Sequence, residues 1–182
     1  MKIIGISGYA GSGKTTLANA IREELFNSLH PDVVRGMDVR ILPFAEEVKR
    51  LAHEVFRIPA SLPKEAYVPS MCMTVREVYQ WFGTKVCRER DPNIWVKHWV
   101  DKIDKERPKI VIADDVRFAN EAEKIRSMGG YIIRLKDWNP CNAHEKACEL
   151  SNSCECDMVF TARLKSPEEY AKIVLREMET KC

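Results

Sequence analysis

"GYAGSGKTT", residues 8–16, follows directly on the apolar run "KIIGIS", residues 2–7. Gly8, Gly13, Lys14 and Thr15 satisfy G-x-x-x-x-G-K-S/T, with a strand pattern before them and an amphipathic helical pattern after. Glycines at 8, 11 and 13, with Ser12 between, let backbone amides turn toward phosphate oxygens. The helix start at Lys14, Thr15 and Thr16 adds unpaired amides and the positive end of its dipole. Lys14 supplies a point charge for the β- and γ-phosphates of a nucleotide such as ATP, and the Thr15 hydroxyl is the expected ligand of Mg²⁺. A tight connection that binds nothing would not need the Lys-Thr pair.

Outward from this loop, helical and strand patterns alternate to the end of the chain, as in a parallel sheet covered on both faces. Strands are expected at Lys2 to Ser7, Val39 to Leu42, "KIVIADD" (109–115), "YIIRL" (131–135) and "DMVF" (157–160). The expectation is therefore an α/β fold with a central five-stranded parallel sheet, in one domain of 182 residues.

Helices are expected from Thr15 to about Leu29, and through Ala45, Val48, Leu51, Ala52 and Val55 on one stripe. Thr74 and Glu77 form a capping box for a helix bearing Val75, Val78, Tyr79 and Phe82, which Gly83 ends. Asp91 and Pro92 open another with Trp95, Trp99 and Ile103 inward; one more runs from Glu121 to Met128, and Ser166, Pro167 and Glu169 cap the last. "RIPASLPKEAYVPSMCM" (57–73) reads as a loop without a period.

The central run "KIVIADD" ends in Asp114 and Asp115, at the strand end where ligands of open parallel sheets bind. Either acid suits the Mg²⁺ shell opposite Thr15. The choice stays open at this point.

An acceptor that is itself a phosphate needs no general base, because its second pKa of about 6 leaves it largely dianionic. The site must instead neutralise repulsion between donor and acceptor, which is work for arginine. Arg76 and Gln80 lie one helical turn apart, off the apolar stripe; Arg88 follows Gly83 and Thr84, and Arg117 follows Asp115 by two residues. Arg134 and Lys136, at the end of the fourth strand, are candidates for a closing lid over about 136–156.

Lysine plus arginine number 29 against 27 acids, a net charge of +2, too balanced for a nucleic-acid or anionic-membrane surface. No apolar stretch is long enough to span a membrane and no signal-peptide pattern opens the chain, so a cytoplasmic protein is expected. Seven cysteines at irregular spacing argue for free thiols. Cys141, His144, Cys148, Cys154 and Cys156 crowd one segment, but Cys154 and Cys156 are too close for the usual zinc spacing.

The whole chain resembles the deoxynucleoside monophosphate kinases of bacteriophages and related viruses, a family within the P-loop nucleoside monophosphate kinases. The stretches that carry the likeness are "SGYAGSGKTT", "PFAEEVKRLAHEVF", "VREVYQWFGT" with "WV" downstream, and "DDVRFANEAEKIRSMGGYIIRL". The resemblance implies that the α/β domain is a three-layer P-loop kinase fold, and that Lys14, Thr15 and Thr16 hold ATP and Mg²⁺. It implies that Arg76, Gln80, Thr84 and Trp95, with Arg88 after the Gly-Thr pair, form the monophosphate side within a helical region of about 57–105. Asp115 and Arg117 would sit between donor and acceptor, and Glu121 would be the acid of the "NE" step.

The sequence departs from the family in a short 57–73 loop and in "AHEKACELSNSCECD" (143–157), where relatives carry histidine followed by S-E or T-E. The implied activity is ATP-dependent phosphorylation of a deoxynucleoside 5′-monophosphate, in the host cytoplasm if viral, with homodimerisation left open. A phosphomevalonate kinase-like enzyme and a P-loop ATPase without an acceptor are the rivals.

Overall fold

The computed structural model describes residues 1–9, 11–27, 38–136, 156–161 and 164–180. In chain order its strands and helices are β1 (Lys2–Gly8), α1 (Lys14–Asn27), β2 (Val39–Ile41), α2 (Ala45–Phe56), β3 (Tyr67–Val68), β4 (Met73–Thr74), α3 (Val75–Gln80, continued as a π-helix over Trp81–Arg88), α4 (Ile94–Glu106), β5 (Ile110–Val116), α5 (Ala119–Ser127), β6 (Tyr131–Lys136), β7 (Met158–Thr161) and α6 (Pro167–Thr180). They fall into two compact units, one made of Met1–Pro43 with Arg107–Cys182, the other of Phe44–Glu106. The helical region expected at about 57–105 lies inside the second.

The first unit is a five-stranded parallel sheet in the order β2-β5-β1-β6-β7. Its faces follow from strand parity. Ile4 and Ile6 of β1, Ile110 and Ile112 of β5, and Ile133 and Leu135 of β6 pack with Leu17, Ala18 and Ile21 of α1 and with Tyr170, Ala171, Val174 and Met178 of α6. Ile3 and Gly5 of β1 point the other way, to α5. A Cβ on Gly5 would stand 2.7 Å from Ile125 Cδ1, so this glycine lets the helix lie close on the strand.

β1 lies between β5 and β6; the chain leaves β1 toward β2 and leaves β5 toward β6. Adjacent strands whose connections diverge in this way open a crevice at their carboxyl ends, and the glycine loop and the two acids both sit there.

The second unit has a small core of its own. Val48 and Ala52 of α2 meet Phe82 and Trp95, while Ile58, Val68, Val75 and Val78 form a second cluster beneath the β3–β4 hairpin. Trp95, Trp99 and Ile103 of α4 are all buried, as their spacing predicts.

Three expectations change here. The 57–73 stretch is not structureless: Tyr67–Val68 and Met73–Thr74 pair antiparallel around a single 3₁₀ turn, Pro69–Met71. Two-residue strands are too short to carry a period, so the sequence hides them. Val55 is 59% exposed rather than inward, because Phe56 and Ile58 fill the space where α2 ends at the left-handed Arg57. Gly83 does not end its helix, which widens to π winding and runs through it to Arg88.

Candidate active site

In the first unit the loop after β1 turns back on itself to aim its amides. Gly8 has φ +151°, and a Cβ there would lie 2.6 Å from the Leu135 carbonyl oxygen and 2.8 Å from Ser12 Oγ. Only glycine fits. The Lys14 ammonium donates to the carbonyls of Gly8 (2.5 Å) and Tyr9 (2.7 Å), which holds it over the loop. The Ser12 hydroxyl is buried and has no hydrogen-bond partner among the described residues. A buried hydroxyl left unmatched in a glycine-rich loop suits a ligand rich in acceptor oxygens.

Opposite the loop, Thr15 Oγ1 donates to Asp114 Oδ2 at 2.6 Å, and Asp114 is 8% exposed. The register explains why this acid was turned inward. Gly5 pairs with Ala113 and Ser7 with Val116, so β5 holds one more residue than β1 over this stretch, a bulge opposite Ile6. Ile110, Ile112 and Asp114 share the α1 face, while Val116 returns to the Gly5 face. Asp115, half-buried, falls in the bulge itself. A hydroxyl and a buried carboxylate in contact at a helix start make a donor set that a hard divalent cation accepts.

Arg117 is half-buried, and its guanidinium has no hydrogen bond or ion pair among the described residues. Its backbone is tied down. Glu121, 1% exposed, accepts the N–H of Arg117 (2.8 Å) and of Phe118 (3.0 Å), which closes the turn into α5. Glu121 is thus the fold's clamp on the Arg117 backbone. Arg134 pairs in register with Ser7 of β1 and is half-buried.

In the second unit α3 opens with the expected capping box: the Thr74 N–H donates to Glu77 Oε2 at 2.7 Å and the Glu77 N–H to Thr74 Oγ1 at 3.3 Å. Arg76 and Gln80 are exposed, Thr84 and Arg88 half-buried. Arg76 Nη2 donates to Glu65 at 2.8 Å, and this guanidinium holds the Glu65 carboxyl below its ordinary range. Arg88 Nη1 reaches the Pro92 carbonyl at 3.5 Å.

Trp95 does not line a surface. It is 1% exposed, packed on Val48 and Phe82, and its indole N–H donates to the Gly83 carbonyl at 2.9 Å. The resemblance implies a place for Trp95 on the monophosphate side; the start of α4 turns its ring into the core, as the spacing of Trp95, Trp99 and Ile103 predicts.

Two features escaped the sequence. Glu65 lies 11 residues from Arg76 with no periodic relation to it. His53 Nδ1–H donates to the Ile58 carbonyl (2.8 Å), leaving Nε2 to accept from the Tyr79 hydroxyl (2.7 Å). The His53–Tyr79 bond ties α2 to α3, and the left-handed Arg57 lies in the turn that returns the Ile58 carbonyl to the imidazole. Cys141, His144, Cys148, Cys154 and most of the proposed lid, 137–155, lie outside the described residues. No group of three or more metal-ligating side chains occurs among the described residues, and none of their helices is long and apolar enough to cross a membrane.

No family model matches the chain. It is 26% identical, over 96% of its length and 95% of the other's, to a protein of Acanthamoeba polyphaga mimivirus named "Putative deoxynucleotide monophosphate kinase". Its fold matches a Mycobacterium tuberculosis APS kinase (TM-score 0.52, 13% identity, covering 98% of this chain and 96% of that one). It also matches a shikimate kinase of Bacteroides thetaiotaomicron (TM-score 0.51, 15% identity, covering 97% and 98%). The chain has the fold of the P-loop kinases and is, over nearly all of its length, a sequence relative of that mimivirus protein.

Proposed function

We propose that the protein transfers the γ-phosphoryl group of ATP to a deoxynucleoside 5′-monophosphate, giving ADP and the diphosphate. The observation that carries phosphoryl transfer is the Thr15–Asp114 hydrogen bond facing a loop whose buried Ser12 hydroxyl lacks a partner among the described residues. The acceptor is inferred from the name of the mimivirus relative and from the polar series Arg76, Gln80, Thr84 and Arg88.

Lys14 and the amides of Gly11, Ser12, Gly13, Thr15 and Thr16 bind and orient the donor phosphates. Thr15 and Asp114 would hold Mg²⁺, which supplies positive charge to the β- and γ-phosphate oxygens when bound. Asp115 organises the surrounding water. Arg117, its backbone clamped by Glu121, offers its guanidinium to the phosphoryl group in flight, where charge spreads over the equatorial oxygens. Arg76 exchanges the Glu65 carboxylate for the acceptor phosphate; the pair is exposed, so little opposes that exchange. Arg134 serves the donor side.

The test is ADP release from Mg-ATP against each deoxy- and ribonucleoside monophosphate, phosphomevalonate, and no acceptor. Release that depends on deoxynucleotides is expected. Equal release without an acceptor would mean an ATPase and sink the roles of Arg76 and Arg117; release with phosphomevalonate alone would move the acceptor class.

A further inference from the structure

Continued as an ordinary α-helix, residues 75–88 would bury Val75, Val78, Tyr79, Phe82 and Val86, an unbroken apolar stripe. The structure does something else. Trp81–Arg88 winds as a π-helix, Val86 is 40% exposed, and Cys87 packs instead against the Val48–Ala52–Phe82–Trp95 cluster. A winding that turns a valine out and a thiol in gives up apolar burial, and such local losses mark places where another requirement prevails.

That requirement is visible in the angles. Residues advance about 100° each in an α-helix, so Arg76, Gln80, Thr84 and Arg88 would fan across roughly 120° and Arg88 would swing away from Arg76. At roughly 80° each over the π segment, the same four return to within about 65° of one another. The wide winding makes one stripe of two guanidiniums, an amide and a hydroxyl.

Two features hold it. The Trp95 indole N–H donates to the Gly83 carbonyl inside the segment, at 2.9 Å. Gly83 also lets α2 press against the segment, since a Cβ there would stand 3.0 Å from Val48 Cγ1.

We propose that Trp95 is a positioning residue of the acceptor site: by holding the Gly83 carbonyl it fixes the π winding that lines up Thr84 and Arg88 with Arg76 and Gln80 to hold one phosphate monoester. The proposal rests on the monophosphate-kinase reading above. Trp95 itself touches no substrate.

The test is Trp95→Phe, which keeps an aromatic ring in the core and removes the N–H. Without its anchor the segment relaxes toward α winding, which turns Cys87 outward. Labelling of Cys87 by a maleimide, read by peptide mass mapping, is expected to quicken by about tenfold or more. This readout needs no activity, so it stands even if the acceptor has been misjudged. The KM for the deoxynucleoside monophosphate is expected to rise about tenfold with the KM for ATP unchanged. Because Trp95 acts through Thr84 and Arg88, Trp95→Phe combined with Arg88→Ala is expected to raise the acceptor KM by clearly less than the product of the two single effects. Gly83→Ala, which drives a methyl at Val48, serves as the second variant if Trp95→Phe does not fold, with the same two effects expected. Unchanged Cys87 labelling, or additive KM effects in the double variant, overturns the proposal. A wild-type enzyme that uses no nucleoside monophosphate sinks the functional reading instead, and is recognised before any variant is made.

Discussion

Asp114 and Asp115 are chemically identical and adjacent, yet only one meets Thr15. Alternation along β5 puts Ile110, Ile112 and Asp114 on the α1 face, and the bulge then consumes Asp115. No property of either residue announces this, because it depends on the register against β1. The loop was legible for the opposite reason: Gly8, Lys14 and Thr15 carry their roles in residue type and spacing. Trp95 could be read two ways: the resemblance puts it on the monophosphate side, its spacing with Trp99 and Ile103 puts it in the core, and the core is where its ring lies. The Mg²⁺ concentration for half-maximal rate is expected to rise about 10- to 100-fold in Asp114→Asn and far less in Asp115→Asn. A Mg²⁺ titration of the rate checks it, and a larger shift for Asp115→Asn would reverse the assignment. Gly8→Ala belongs to the same scale: its Cβ would meet the Leu135 carbonyl at 2.6 Å with φ +151°. We expect a loss of about 2–4 kcal/mol by denaturant unfolding; a loss below 0.5 kcal/mol would show that the loop relaxes freely.

At the scale of elements, all five strands of the sheet could be read, because each is an apolar run closed by turn residues. The Thr74–Glu77 box could be read as well, since it lies within four residues. The π winding could not: the apolar spacing of Val75 to Val86 fits an α-helix better than the structure does, and the deciding contacts come from Val48 and Trp95, distant in sequence. This divergence makes a stability test. Val86→Lys is expected to change stability by no more than about 0.5 kcal/mol, and Cys87→Lys to cost about 2 kcal/mol or more, because only the second buries a charge. An α-helix would give the reverse order in chemical denaturation. Burial pushes the Cys87 thiol above its ordinary pKa. Its neutral form is therefore favoured in the folded state, so its contribution is complete below the unfolded-state pKa and is lost as pH rises through the folded one.

On the scale of the whole molecule, the first unit is assembled from both ends of the chain, and Phe44–Glu106 is inserted between Pro43 and Arg107. The alternation of helix and strand gave the sheet but not this division, since the inserted helices are as apolar in pattern as those flanking the sheet. The phosphate loop and Asp114 come from opposite sides of the insertion, joined by the pairing of β1 with β5, the packing of α1 on β5 and the Thr15–Asp114 hydrogen bond. A ligand bound at both therefore ties the early and late parts of the chain together, and mass action then stabilises the fold. With Mg-ADP at 100 times its Kd the gain is about 2.7 kcal/mol, enough to raise Tm by roughly 5–11 °C in a protein of this size. Lys14→Ala should remove most of that rise while changing the Tm without nucleotide far less, because the Gly8 and Tyr9 carbonyls that its ammonium meets belong to the same loop. A thermal melt of both proteins with and without Mg-ADP decides the matter. If the two gain equally, nucleotide is held elsewhere than on the glycine-rich loop after β1.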